Sequence, residues 1–264
     1  MSTRKESPGR KAASTKTPRG RRPQSLDLRA AKDAIYRKHI MEAAERVFAE
    51  QGYANTKMQS VASAVGISLA TLYQAFPGKE QLHKAIRVVR DTEMLAAVMQ
   101  RAQQPPAPSK MVEWLLWLME THMKYFLEHP DYLRMQLQLG HVWYHSTAWP
   151  SNDERELWER GMDFMTQIFS LGQTQELLVT GDPGDQGRLM MALQQTRLAN
   201  WIGAGMTESH AIVTARVQAD FVRNFCRPAK SAALLTADGS SLNPQALESI
   251  RAIESTTKPF KLPA

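Results

Sequence analysis

The stretch TKMQSVASAVGISLATLYQAFPGKE, Thr56 to Glu80, decides how this chain reads. Met58, Val61, Ala62 and Val65 fall on one face of a short helix that stops at Gly66. Thr56 and Gln59 stand at capping-box spacing before it. Gly66-Ile67-Ser68 is a tight turn, and Ser68 is placed to cap a second helix, with Ile67 and Leu72 at staple positions. On that second helix Leu72 and Phe76 point inward, Ala70 and Gln74 lie opposite them, and Thr71 and Tyr73 stand on the flanks. A helix, a short glycine turn and another helix form the outline of a helix–turn–helix.

The outer face of the second helix is small and hydrogen-bonding rather than charged. That chemistry suits a nucleic-acid groove. Ala70 allows close approach, Gln74 can pair with a base edge, and the Thr71 methyl can meet a thymine methyl. The hydroxyls of Thr71 and Tyr73 can reach phosphate oxygens. Lys57 and Lys79 begin helices, where backbone N–H groups and a lysine together make phosphate seats.

Upstream, Ile40, Ala44, Val47 and Phe48 mark an earlier helix closed by Gly52. Before it, residues 1–32 hold ten Lys or Arg against two acids, more than the whole chain's net charge of +7. The rest of the chain is therefore close to neutral. This arm is rich in Ser, Thr, Pro, Gly and Ala, and it is expected to be disordered and to favour an anionic polymer.

Downstream, helical periodicity continues and no alternating strand pattern competes with it. Leu82, Ile86 and Val89 give a stripe from Lys79 onward, "QQPPAPS" at 103–109 interrupts it, and helices are expected near 110–128, 131–141, 153–179, 185–203, 208–226 and 244–254. The fold class is all-α. The expected organisation is a basic arm (1–32), a helix–turn–helix domain (33–80), a helical effector-binding and dimerisation domain (81–227) and a C-terminal extension (228–264).

One cysteine, Cys226, excludes an intrachain disulfide and fits a reducing cytoplasm. Even "WLLWLM" (Trp114–Met119) is bracketed by Glu113 and Glu120, so no membrane span is expected. No secretory signal pattern is present at the N-terminus. "HVWYH" (His141–His145) offers two histidines at i, i+4 but no third ligand at telling spacing, so no metal site is assigned. No nucleophile elbow, phosphate loop or supported carboxylate pair appears, and the chain is not expected to be an enzyme or to carry a cofactor.

The text from Ile40 to Ile86, "IMEAAERVFAEQGYANTKMQSVASAVGISLATLYQAFPGKEQLHKAI", resembles the TetR family of bacterial transcriptional regulators. The Ala-Ala pair and Phe, then Gly-Tyr and Thr, Gly-Ile-Ser, Thr-Leu-Tyr, Phe and Lys-Glu-x-Leu occur in family order. The resemblance implies a dimer that binds a pseudo-palindromic operator in double-stranded DNA, most often as a repressor, and responds to a small molecule in its C-terminal domain. It implies DNA contacts from Thr56, Lys57, Gln59, Ser68, Leu69, Ala70, Thr71, Tyr73, Gln74 and Lys79. Gln59 stands where many members carry a base-reading Arg or Lys, which leaves more of the affinity to phosphates, DNA shape and the arm.

By the same resemblance, residues 185–225 form the helix pair that joins subunits, with Leu189, Leu193, Trp201, Ala215, Phe221 and Val222 on the contact face. The segment 111–170 is loaded with large flexible and aromatic side chains. Trp114, Trp117, Met123, Phe126, Met135, Trp143 and Phe164 are the candidates to line an effector pocket, and they imply an apolar or aromatic ligand. The same side chains also fill cores. Two other readings stay open: an architectural DNA binder without an effector, and an interaction module that has lost DNA binding.

Overall fold

The computed structural model describes residues 24–103, 108–138 and 152–256. Among these residues every regular element is helical, and the two β-bridges, Leu178 with Cys226 and Leu235 with Leu242, are isolated. The all-α expectation holds. The chain divides into two compact units, one ending at Lys38 and one running from His39 onward. The described part of the first is helical, with Ile35 and Tyr36 exposed.

Helix α1 spans Gln24–Asn55, so the expectation of an unstructured arm through residue 32 is corrected from Gln24 on. The reason is composition: LDLRAAKDA is made mostly of strong helix formers, and its prolines lie before it. Residues 1–23 lie outside the described residues. In the second unit Ile40, Ala44, Val47 and Phe48 of α1 are buried. The helix breaks at Gly52, whose φ of +76° is open to glycine at little cost.

Helices α2 (Met58–Val65), α3 (Leu69–Ala75) and α4 (Lys79–Ala102) follow. Gly66 ends α2 in the left-handed region at φ +77°, and its N–H and that of Ile67 both return to the last turn of α2. Along α4, Leu82 and Ile86 are buried as expected, but Val89 is exposed and the inward stripe continues through Leu95 and Val98. The domain boundary expected after residue 80 falls inside α4, which runs unbroken from the helix–turn–helix into the body.

The body is built around α5 (Met111–Glu128). Nine successive residues, Met111 to Met119, are buried, which explains the apolar run: a helix packed on all sides has no polar face. Helices α4, α6 (Pro130–Gln138), α8 (Pro183–Gly203) and α9 (His210–Phe225) surround it, and α7 (Asn152–Thr174) packs along α8 and against α4. No helix among the described residues is long and apolar enough to cross a membrane.

Helix α7 stops at Thr174, five residues before the expected end. Glu176 takes a positive φ, and the N–H groups of Leu177 and Leu178 return to the Gly172 carbonyl. Leu178 then lies so close to Gly172 that a Cβ there would sit 2.5 Å from its Cδ1. The C-terminal extension is structured through Thr256, and residues 257–264 lie outside the described residues. Helices α10 (Pro228–Leu234) and α11 (Pro244–Thr256) follow α9, α11 covers α5, and Lys230 reaches Glu113 at 3.2 Å.

Candidate nucleic-acid interface and ligand cavity

Two places in the second unit carry chemistry. The first is the outer surface of α2 and α3. Leu72 and Phe76 anchor α3 in the core, and partly buried Leu69 packs beside them. Ser68 caps α3 as expected, accepting from the Thr71 N–H at 3.1 Å, while its hydroxyl also meets the Thr71 hydroxyl at 2.7 Å. Anchored and capped, the helix turns Ala70, Tyr73 and Gln74 to solvent, with Tyr73 45 % exposed. Lys57 and Gln59 are exposed beside them at the start of α2. Nine of the ten expected contact residues thus keep some or all of their surface open, buried Thr56 being the exception.

Three of the ten are engaged within the chain or offer little. Thr56 is 2 % exposed, and both its N–H and its hydroxyl donate to the Gly52 carbonyl, at 3.1 and 2.8 Å. It closes the α1 turn, and little of its surface is left to offer a partner. The capping box is corrected with it: the N-cap of α2 is Lys57, and no side chain bonds there. Lys79 donates from its ammonium to the carbonyls of Tyr53 (2.7 Å) and Ala54 (3.2 Å) and lies 4.5 Å from the Tyr53 ring centroid. It neutralises the C-terminal end of α1, which attracts cations. Leu69, partly buried, offers only a methyl edge.

The second place is a cavity of about 180 Å³ within the body, between α4, α5, α6, α7, α8 and α9. Its wall is mostly apolar, from Met94, Leu95, Leu118, Met119, Met162 and Met190 among others. Of the expected pocket residues, Phe126 and Phe164 line it. Trp114, Trp117, Met123 and Met135 are buried core residues that do not reach it, because they lie on the faces of α5 and α6 turned to other helices. Trp143 lies outside the described residues, as do His141 and His145.

The sequence reading missed the polar part of this wall. Arg87 and Asp91 sit one turn apart on α4 and face inward. Arg87 Nη1 is 3.0 Å from Glu154 Oε1 of α7. Asp91 Oδ1 accepts from the Tyr132 hydroxyl and from Gln136 Nε2 at 3.3 Å, both on α6. Burial pushes the Asp91 carboxyl up to about 6, against the pull of the Tyr132 hydrogen bond and of Arg87. Burial alone holds His122 down at about 4, so it is neutral near pH 7. Among the described residues, its Nδ1, Arg87 Nε and Gln194 Nε2 are buried without a hydrogen-bond partner. The available signal was charge within an apolar stripe: Arg87 and Asp91 interrupt the side of α4 that carries Leu95 and Val98.

The two places share α4. One turn from the cavity, Arg90 crosses to α1 and pairs with Glu45 through Nε at 2.8 Å and Nη2 at 3.2 Å. Gln138 of α6 donates to the Ala49 carbonyl of α1 at 2.9 Å.

The expected subunit face is partly corrected. Trp201, Phe221 and Val222 are buried in the chain's own core and have no surface to offer. Leu189 is 61 % exposed, and Leu193 and Ala215 keep part of their surface. Ile212, not anticipated, is 48 % exposed on α9.

Residues 40–86 match the model of the bacterial regulatory proteins, tetR family. No curated protein matches the sequence. Among solved structures the chain is similar to a TetR family transcriptional regulator, PfmR, from Thermus thermophilus, with 24 % identity and a TM-score of 0.57 over 70 % of this chain and 97 % of that one. It is similar to a putative transcriptional regulator from Saccharomonospora viridis in complex with choline, at 22 % identity and TM-score 0.55, over 74 % of this chain and 99 % of that one. It is also similar to the transcriptional regulator FadR from Bacillus subtilis in complex with stearoyl-CoA, at 17 % identity and TM-score 0.53, over 69 % and 95 %.

Proposed function

We propose that this chain, whose residues 40–86 form a tetR-family N-terminal domain on the fold of that family's transcriptional regulators, is a DNA-binding repressor that acts as a dimer and answers to a small molecule. The observation that carries the reading is α3: a capped, core-anchored helix of seven residues presenting Ala70, Tyr73 and Gln74 outward, with no charge on its outer face. Its inner side is anchored in the core, yet its outer side is kept short, polar and open. Fitting a major groove explains both properties.

Direct base reading is thin, since Gln74 is the one amide on the ridge and Leu69 and Ala75 offer no hydrogen bonds. Phosphate contacts therefore fall to Lys57, Tyr73 and the first-turn N–H groups of α2 and α4. The basic arm adds charge close to the chromosome in the cytoplasm.

Dimerisation is supported by the exposed apolar stripe of α8 and α9, where Leu189, Leu193, Ala215 and Ile212 keep surface in the single chain. An effector is supported by the cavity. Choline and stearoyl-CoA in two structural relatives differ in size and in the sign of their charge, so the fold itself does not choose the ligand. Coupling is supported by α4, which lines the cavity with Arg87 and Asp91 and grips α1 with Arg90.

The test is selection of bound fragments from genomic DNA with the purified full chain. A pseudo-palindrome protected at dimer stoichiometry is the expected result. Sequence-independent binding, or none at low salt, would sink the reading.

A further inference from the structure

We propose that the cavity takes an uncharged apolar molecule whose polar end is a carbonyl oxygen, a ketone or ester on a hydrocarbon body, which rests on the effector reading and narrows it to one ligand class. The argument is the hydrogen-bond inventory of the wall. Among the described residues, two nitrogen donors on the wall are buried without a partner: Gln194 Nε2 on α8 and Arg87 Nε on α4. Gln194 is only 1 % exposed. A buried donor left unmade is costly, and more so on a charged group. Glu154 meets Arg87 at Nη1, 3.0 Å away, so Nε is a separate N–H on the same guanidinium. Neither an amide nitrogen nor a guanidinium accepts hydrogen bonds, and what completes both is an acceptor. His122 of α5, neutral near pH 7, also holds its Nδ1 buried and unpaired, and one of its two tautomers adds a third N–H.

The choice among acceptors follows from the rest of the wall. A carboxylate would have to share Arg87 with Glu154 and would enter a cavity that already holds the Asp91 carboxylate. A carbonyl oxygen has two lone pairs and brings neither a charge nor a donor that needs its own partner. Six methionines line the cavity: Met94, Met119, Met162, Met165, Met190 and Met191. Their flexible thioethers let the wall yield around a hydrocarbon body, and the Gln194 amide turns easily about its last bond to meet the oxygen. The volume of about 180 Å³ is somewhat larger than that of a cavity that holds benzene, so the ligand has roughly ten non-hydrogen atoms.

The test uses the full chain and isothermal calorimetry at pH 7.5 with four probes of one size: benzylacetone, isopentylbenzene, 3-phenylpropionate and 3-phenylpropylamine. Isopentylbenzene puts a methyl group where the ketone has its oxygen. The ketone is expected to bind at least tenfold tighter than the propionate or the amine. Gln194→Met keeps the bulk and removes the donor. It should weaken the ketone about tenfold and leave the hydrocarbon as tight or tighter. Arg87→Lys keeps a cation for Glu154, removes Nε, and should lower the ratio of ketone to hydrocarbon affinity in the same direction. A change confined to one variant names the group that holds the oxygen and upholds the class.

Infrared difference spectra of the unaltered chain give a readout that packing alone does not move. The carbonyl stretch of bound benzylacetone should lie below that of the same ketone in hexane, as hydrogen bonding lowers it. A stretch that matches hexane, a ketone-to-hydrocarbon ratio unchanged in both variants, propionate or amine binding as tightly as the ketone, or no binding of the ketone would overturn the proposal. Release of bound duplex is read separately. A ketone that binds without releasing DNA upholds the ligand class and overturns the effector role; DNA released by other compounds while the ketone stays unbound does the reverse.

Discussion

The helix–turn–helix and the body cavity are both functional surfaces, yet they are written in different ways. The α2–α3 surface is assembled from about twenty consecutive residues, and its stop, turn and cap lie within a turn of the side chains they position. The cavity gathers Arg87, His122, Gln136, Glu154 and Gln194 from five helices spread over more than a hundred positions. A surface that reads an external partner can be specified locally. A space between helices is a property of packing, and no single segment contains it.

That contrast can be broken most strongly at Leu72. It is fully buried and is the main apolar anchor of a seven-residue helix. Leu72→Ala should cost about 2–5 kcal/mol. Denaturant unfolding would detect it, and duplex binding should fall with it because α3 loses its seat. If stability fell by less than about 1 kcal/mol, α3 would not depend on the core in the way its geometry implies.

Glu45→Ala ranks next and tests whether the two regions are joined. It leaves the Arg90 guanidinium beside Glu93 but without its α1 partner. The loss should be about 2 kcal/mol, below the usual figure for a buried pair because Arg90 keeps some solvent. The sharper readout is coupling: a ligand that releases duplex from the original chain should release it less completely from the variant. Undiminished release would show that the cavity speaks to α1 by another route, such as Gln138 on the Ala49 carbonyl.

How much could be read in advance follows the same division. The α2 and α3 helices, the Gly66 stop and the Ser68 cap were legible, because each depends on neighbours in sequence. Thr56 misled because two local bonds competed for it. The capping box was possible by spacing, but the left-handed Gly52 placed a free carbonyl within reach of its hydroxyl. Lys79 misled for a similar reason, with the open carbonyls at the end of α1 already there to receive it. In the body, Phe126 lines the cavity and Met123 does not, although both are buried on α5. Nothing in residue type separates a pocket wall from a core, since both use the same Leu, Met and Phe. Leu189 could be placed on the outer face of α8, but Phe221 was taken by the chain's own core, a competition that only the packed structure decides.

Ser68→Ala is a smaller change. The Thr71 N–H loses its acceptor, and the expected cost is about 1 kcal/mol. Duplex affinity should fall only as far as α3 frays. Gly at the same position should recover most of the stability, since it costs only a few tenths of a kcal/mol at an N-cap. Failure of glycine to do so would mean that the Ser68–Thr71 hydroxyl contact, at 2.7 Å, contributes more than the cap itself.

The smallest expected change in stability is also the most direct test of what α3 is for. Tyr73 is half-exposed, and no hydrogen bond holds its hydroxyl within the described residues. A core tyrosine would use that oxygen or lose it to phenylalanine. Tyr73→Phe keeps the ring and removes the oxygen alone, so stability should stay within about 0.5 kcal/mol. Duplex affinity should still drop several-fold, about 1 kcal/mol for one phosphate hydrogen bond, and the drop should be equal for matched and mismatched operators because phosphates carry no sequence. Binding assays on both operators with the same preparation decide it. A loss confined to the matched operator would place Tyr73 on a base edge instead, and no loss on either would leave the hydroxyl facing solvent in the complex as it does in the free chain.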